Sequence, residues 1–296
     1  MPELPEVAGL VDFLRERAVG SVVAAVEVAS VTVLKTFDPP PQALEGMQVT
    51  DVQRAGKWIV LDVSGIYLAI HLAKAGWLRW SDGLAPNPAR PGKSPIALRV
   101  RLDGARVDKQ TPGRLPGFDL TEAGTRKKLA VHIVRDPSEV ERIRTLGPDP
   151  LADDFDEAAF AALLAGLNKQ IKGVLRDQST LAGVGNAYSD EILHAARLSP
   201  FAIAGKLDQA QVHQLYEAMR AVLATAVSAA SGKPAAELKD TKRAGMAVHG
   251  RTGQVCPVCG DVVREVSFAD SSLQYCATCQ TGGKPLADRR MSRLLR

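Results

Sequence analysis

Several things are scarce in this 296-residue chain. No apolar run approaches the roughly 20 residues that a membrane-crossing helix needs, which excludes a membrane span of that kind. The opening MPELPEV has neither a basic nor an apolar stretch, so it does not read as a secretory signal, and a cytoplasmic location is expected. There is no internal repeat and no low-complexity tract. With 46% apolar and 24% charged residues, a collagen-like, mucin-like or wholly disordered chain is excluded. Cysteine occurs at four positions only, all within the last 41 residues.

What is present fits two or three domains at roughly 100–200 residues each. The net charge of +4 is unevenly spread. From Thr241 onward nine Lys/Arg stand against four Asp/Glu, whereas the first 240 residues sum to −1. A near-neutral body with a basic end suggests a polyanion bound at that end. Residues 5–17 read as a helix, with Pro5 in its first turn and Val7, Leu10, Val11 and Leu14 along one face. From about 21 to 135 the period shifts toward two. SVVAAVEVASVTVLK, KWIVLDV, IYLAIHL, IALRVRL and LAVHIVR are β-branched runs parted by Gly, Pro and Asp, the signature of a β-sandwich or barrel. One short helix is expected over 138–145. Further helices are expected over 155–167, 171–177, 186–197 and 209–230. The expected division is 1–135, a linker 136–150, a helical domain 151–244, a cysteine-bearing unit 245–283 and a basic tail 284–296.

Cys256, Cys259, Cys276 and Cys279 are spaced C-x2-C-x16-C-x2-C. Each pair can present two thiolates to one ion, and four thiolates close a tetrahedral shell with no position left for water. The spacing therefore predicts one structural Zn2+; the alternative is two disulfides or a redox pair. The intervening residues read as strand–turn–strand, a zinc-ribbon hairpin in a unit of about 40 residues, too small to bury much core, so that the metal supplies most of its folding energy.

At the N-terminus, removal of Met1 would expose the secondary amine of Pro2. An α-amine titrates near neutrality, so much of it is a competent nucleophile at pH 7. Attack on an aldehydic carbon yields an iminium, and Glu3 next to it can carry protons. The plain alternative is an exposed chain start with two turn prolines.

MPELPEV, AGKWIVLDV, HLAKAGWLRW, LGPDPL, GVGNAYSDEILHAA, HGRTGQVCPVCG and YCATCQ follow one another in this order along nearly the whole chain. Together they resemble the formamidopyrimidine-DNA glycosylase / endonuclease VIII family. The resemblance implies an α+β multidomain fold: an N-terminal β-sandwich with a flanking helix, a helix–two-turn–helix domain and a C-terminal zinc finger. It implies excision of a damaged, oxidised base followed by nicking at the abasic site, with damaged or abasic double-stranded DNA as partner. A monomer without membrane contact is expected. Pro2, Glu3, Glu6 and Lys57 would form the catalytic group: Pro2 attacking C1′, Glu3 protonating the sugar ring oxygen, Lys57 assisting elimination. His71, Lys74, Asn186, His249, Arg251 and Ser271 would face DNA. Taken from the residues alone, Lys57 is a solvated hairpin charge, Asn186 a helix N-cap and His71 a half-buried histidine; Trp77 and Trp80 are expected to pack rather than stack on bases.

The chain departs from the family's pattern in four places. Ser271 stands where the finger carries a phosphate-gripping arginine, a contact serine cannot replace. Lys74 occupies the place of an apolar wedge. Residues 121–128 lack the phenylalanine that faces the opposite strand. Residues 238–249 leave little chain for a lesion-capping loop, and His249 replaces a tyrosine. These changes imply altered base preference; Ser271 also raises an alternative, a damage-binding protein that does not cut.

Overall fold

The computed structural model describes residues 1–89, 95–123, 127–268 and 271–287. The chain divides into two compact units, Met1–Thr145 with Ala229–Lys239, and Leu146–Ser228 with Asp240–Arg296.

The first unit opens with α1 (Leu4–Ala18), whose buried face of Val7, Leu10, Val11 and Leu14 follows the 3.6-residue period. Eight strands follow: β1 (Val22–Val28), β2 (Val49–Ala55), β3 (Trp58–Val63), β4 (Ile66–His71), β5 (Gly76–Ser81), β6 (Ile96–Asp103), β7 (Gly117–Glu122) and β8 (Ala130–Val134). They form two antiparallel four-stranded sheets, ordered β1-β6-β7-β5 and β2-β3-β4-β8. The sandwich core is apolar throughout, with Leu61, Leu68, Ile70, Leu98, Phe118 and Leu120 among its buried members. Ala230, Ala235 and Leu238 return from far along the chain to join it. Gly9 makes room for that return: a Cβ there would stand 2.9 Å from the Ala230 carbonyl oxygen and 3.0 Å from a Leu238 methyl.

The run at residues 21–35, expected as strand, is broken. Ala29 and Ser30 both donate N–H to the Ala97 carbonyl at 3.0 Å, Val31–Val33 forms a 3-10 turn, and Leu34 bridges Val131. The chain there crosses from one sheet to the other, which one straight strand cannot do. The helix expected over 138–145 is likewise split into a 3-10 turn, Pro137–Glu139, and α2 (Glu141–Arg144).

The second unit holds α3 (Glu157–Leu164), α4 (Ile171–Arg176), α5 (Asn186–Ala195) and most of α6 (Gln209–Ala230). Asp156 caps α3 by accepting the Ala159 N–H at 2.8 Å. Two turns separate α4 from α5, with Thr180 and Leu181 both donating to the Asp177 carbonyl. The Gln178 side chain locks the second turn: it accepts from Gly183 N–H at 3.0 Å and donates to Val184 O at 2.8 Å. Beyond α6 lies α7 (Leu238–Gly245), a helix outside those expected from the sequence. The finger follows, with β9 (Val263–Ser267) and β10 (Ser272–Cys276) paired antiparallel and α8 (Ala277–Thr281) after them. This is the strand–turn–strand the sequence predicts. Among the described residues no helix is long and apolar enough to cross a membrane.

Candidate functional site

The candidate residues fall in two places, one in each unit. In the first, α1 begins directly behind Pro2. Glu3 is its N-cap, and a capping box ties the turn: the Glu6 carboxylate accepts the Glu3 N–H at 2.8 Å while the Glu3 side chain accepts from the Glu6 backbone. Pro2 is buried, and Glu3 and Glu6 are only 2% and 3% exposed. The plain alternative of an exposed chain start is therefore wrong for residues 2–6. Burying two carboxylates at a helix N-terminus places negative charge where the dipole favours it.

Lys57 sits in the two-residue turn between β2 and β3, where Gly56 has φ +55°. It is 8% exposed, so it is not the solvated hairpin charge that the residues alone suggest. Trp58, its neighbour, pairs with His71 across β3 and β4, and the two rings lie 4.9 Å apart; the His132 ring approaches Trp58 from another side at 5.5 Å. Burial, with the positive charges of Lys57 and Arg142, lowers the His71 pKa to about 4, so the ring is neutral at pH 7. Burial lowers His132 as well. Lys74 is exposed at the tip of the β4–β5 turn. That turn is tight: Ala73 has φ +53°, Gly76 N–H reaches Leu72 O at 2.9 Å, and a Cβ on Gly76 would collide with that same oxygen. Trp77 packs as expected, buried with its Nε1 donating to Ala235 O at 3.2 Å; Trp80 is half-buried and donates to Asp82.

Glu122 was not singled out from sequence. Its buried carboxylate accepts the N–H groups of Lys128 and Leu129 at 2.6 and 2.8 Å, closing the 121–128 loop at its base. Residues 124–126 of that loop lie outside the described residues, as do the tail arginines Arg289, Arg290 and Arg293.

In the second unit, Asn186 is the first residue of α5, and the N-cap is Gly185. Asn186 is thus not the N-cap the residues alone suggest. Its Nδ2 donates to Ser272 O at 2.8 Å, and its Oδ1 is buried without a hydrogen-bond partner. Ser271 lies in the β9–β10 turn, where its carbonyl accepts the Phe268 N–H at 2.8 Å. His249 Nδ1 meets the Asp190 carboxylate at 2.7 Å. Arg251 bridges Gln254 Oε1 and the Arg243 carbonyl, both at 3.1 Å.

The helix α5 holds a set of polar residues that periodicity did not reveal. Asp190 is fully buried and takes the Lys172 ammonium at 2.5 Å, and Lys172 also donates to Ser189 Oγ at 2.8 Å. The buried Glu191 carboxylate accepts three consecutive N–H groups, from Ala247, Val248 and His249, at 2.7, 3.0 and 2.7 Å. Burial raises its pKa against the pull of those bonds. His194 Nε2 lies 3.3 Å from Cys256 Sγ. The only sequence signal for these residues was charge at helical positions that should be apolar.

The four cysteines are not bonded to one another, and their sulfurs all lie within 4.8 Å of each other. Cys256–Cys279 and Cys259–Cys276 sulfurs are 3.9 and 3.3 Å apart, the scale of the edges of a tetrahedron with metal–sulfur bonds of about 2.3 Å. Burial pushes the Cys276 thiol up to about 11 and raises Cys279 too. Metal binding would displace those protons, so the donor set fits one structural zinc and not a pair of disulfides.

Three family models match the chain: the formamidopyrimidine-DNA glycosylase N-terminal domain over residues 1–115, the H2TH domain of the same enzymes over 146–236, and a zinc finger found in FPG and IleRS over 253–282. A formamidopyrimidine-DNA glycosylase-like protein of Mycobacterium tuberculosis, itself uncharacterized, is 63% identical over 153 residues, covering 52% of this chain and 96% of that protein. A formamidopyrimidine-DNA glycosylase of Symbiobacterium thermophilum is 32% identical over 98% of this chain and 93% of its own length. Among solved structures, MutM in complex with DNA containing carbocyclic 8-oxo-G superposes with a TM-score of 0.79 at 25% identity, over 95% of this chain and 100% of that one. Sandwich, helix–two-turn–helix and four-cysteine finger are matched in turn by the three family models, and the chain belongs to the formamidopyrimidine-DNA glycosylase family.

Proposed function

We propose that this chain is a DNA glycosylase with AP lyase activity, acting on damaged or abasic double-stranded DNA. The observation that carries this reading is the buried Pro2-Glu3-x-x-Glu6 turn, in which the capping box holds both carboxylates at the mouth of α1. With the Pro2 nitrogen free, that amine attacks C1′ of the deoxyribose and the bond from C1′ to the base breaks. Glu3 delivers a proton to the ring oxygen, the sugar opens, and the nitrogen–carbon pair becomes an iminium. Loss of a proton from C2′ then expels the 3′-phosphate, and water releases the sugar fragment. Lys57 lies close enough to His71 to depress its pKa, which supports its placement beside the phosphates of the reacting strand. His71, neutral at pH 7, can offer a phosphate an N–H but no charge.

Reaching a base inside the stack requires its extrusion, at a few kcal/mol. Lys74 at the β4–β5 tip, the α5 N-terminus with Asn186, and His249, Arg251 and the finger are the groups that would hold the distorted backbone. The relative bound to 8-oxo-G DNA supports a DNA substrate; the departures at Lys74 and in the 121–128 loop argue for a different lesion preference. The test is borohydride trapping on a duplex carrying one abasic site, using protein whose mass shows that it begins at Pro2. A covalent adduct that is lost when the Pro2 amine is blocked by acetylation is expected. Ser271 favours the second reading, a damage-binding protein that does not cut. Tight binding to the abasic duplex without any adduct would establish that reading and end the first.

A further inference from the structure

The metal centre is built by more than the finger. Cys256 is 1% exposed, so water has no access to its sulfur. A thiolate taken out of water needs a donor from the protein, because a buried charge left without hydrogen bonds is costly. The group at that sulfur is His194, itself buried, in the last turn of α5 and outside the finger altogether. Its Nε2 stands 3.3 Å from Cys256 Sγ, which is hydrogen-bond distance for sulfur and not a metal–ligand arrangement. The four thiolates already complete a tetrahedral shell, which leaves the imidazole outside it. Cys259, by contrast, is exposed.

We propose that His194 is a positioning residue of the zinc site, donating its Nε2–H to the Cys256 thiolate and thereby making α5 part of the site's outer shell. Four zinc-bound thiolates carry a net charge of about −2, and an N–H···S bond draws off part of it. Outer-shell partners of this kind typically set metal affinity by 10–100-fold. The neighbours of His194 act in the same sense on the backbone. Glu191 fixes residues 247–249 on the approach to the finger, and Gln280 ties Cys276 N–H to Leu198 O just past α5. Zinc retention is therefore a joint property of finger and helical domain.

The experiment compares zinc release from the intact protein to a chromophoric chelator for the parent, His194→Phe and His194→Gln. Phenylalanine keeps the ring and its packing but has no donor, whereas the glutamine amide places an N–H near the former Nε2. Release about 10-fold faster in His194→Phe, restored to within about threefold in His194→Gln, is the expected result. In the cobalt-substituted proteins the thiolate-to-metal charge-transfer band should shift to lower energy in His194→Phe only, a change that lost packing would not produce. Unchanged release and an unmoved band in His194→Phe would overturn the proposal. Should that variant fail to fold, the parent loaded with 113Cd decides: a scalar coupling between the His194 Nε2 proton and cadmium supports it, and absence of that coupling in an assigned spectrum overturns it.

Discussion

The β-sandwich and the zinc finger solve the same problem by opposite means. The sandwich buries a continuous apolar core fed by α1, both sheets and the returning 230–238 segment, and polar groups play little part in it. The finger has two small apolar clusters, one of them built around Cys256 and Cys276 themselves. It is held by metal ligation and by polar bonds to α5: Asn186 to Ser272, Asp190 to His249, Glu191 to residues 247–249 and His194 to Cys256. Apolar burial scales with area, and roughly 40 residues enclose too little of it. Directional contacts supply what area cannot, at the expense of dependence on a few atoms.

Metal removal should separate the two regions most sharply. Structural zinc contributes about 10–16 kcal/mol of apparent binding energy in small fingers at pH 7. Chelation should therefore unfold residues 253–282 and weaken DNA binding, while amide exchange in β3, β4 and β6 stays slow. Loss of protection in those strands would show that the regions are not independent. Next in size is Lys172→Met, which leaves the fully buried Asp190 carboxylate without its ammonium. Removing one partner of a buried pair destabilises by about 3–5 kcal/mol. Denaturant unfolding should show that loss in the helical unit and not in the sandwich.

The smallest effect lies at a half-buried histidine of the sandwich. His71 is held at about 4, below the ordinary 6.5 of an unfolded chain. Above pH 6.5 the ring is neutral in both states and nothing is lost. Between pH 6.5 and 4 the unfolded chain takes up a proton that the folded one refuses, so stability falls with pH, by about 2–3 kcal/mol at pH 4.5. His132 adds to the same slope. Comparing denaturation midpoints at pH 7.5 and 4.5, His71→Gln should be less acid-sensitive than the parent; an equal loss in both would place the slope elsewhere.

How much of this was legible in advance varied with how local its cause was. α1 and α6 came from periodicity within a residue or two, because the apolar stripe is written along the helix. The strands β2, β5 and β7 were passed over, since VTDVQRA, GWLRWS and GFDLTE are polar or mixed and become strands through their neighbours. The finger was read from spacing alone. The burial of Lys57 and the polar bonds from α5 to residues 247–256 were not, because each depends on what lies opposite it.

Period and cysteine spacing determined a strand-rich first half, the helices and the metal site, and the ordered motifs carried the family resemblance with the sandwich it implies, since each is encoded over a handful of neighbouring positions. Tertiary structure alone decided that Gly9 answers Ala230, that burial holds His71 neutral, and that a histidine at position 194 reaches a sulfur at 256. Those pairings form only once hydrophobic collapse has brought distant segments together. Polar side chains then take whichever partners burial leaves them, and no local pattern records which those are.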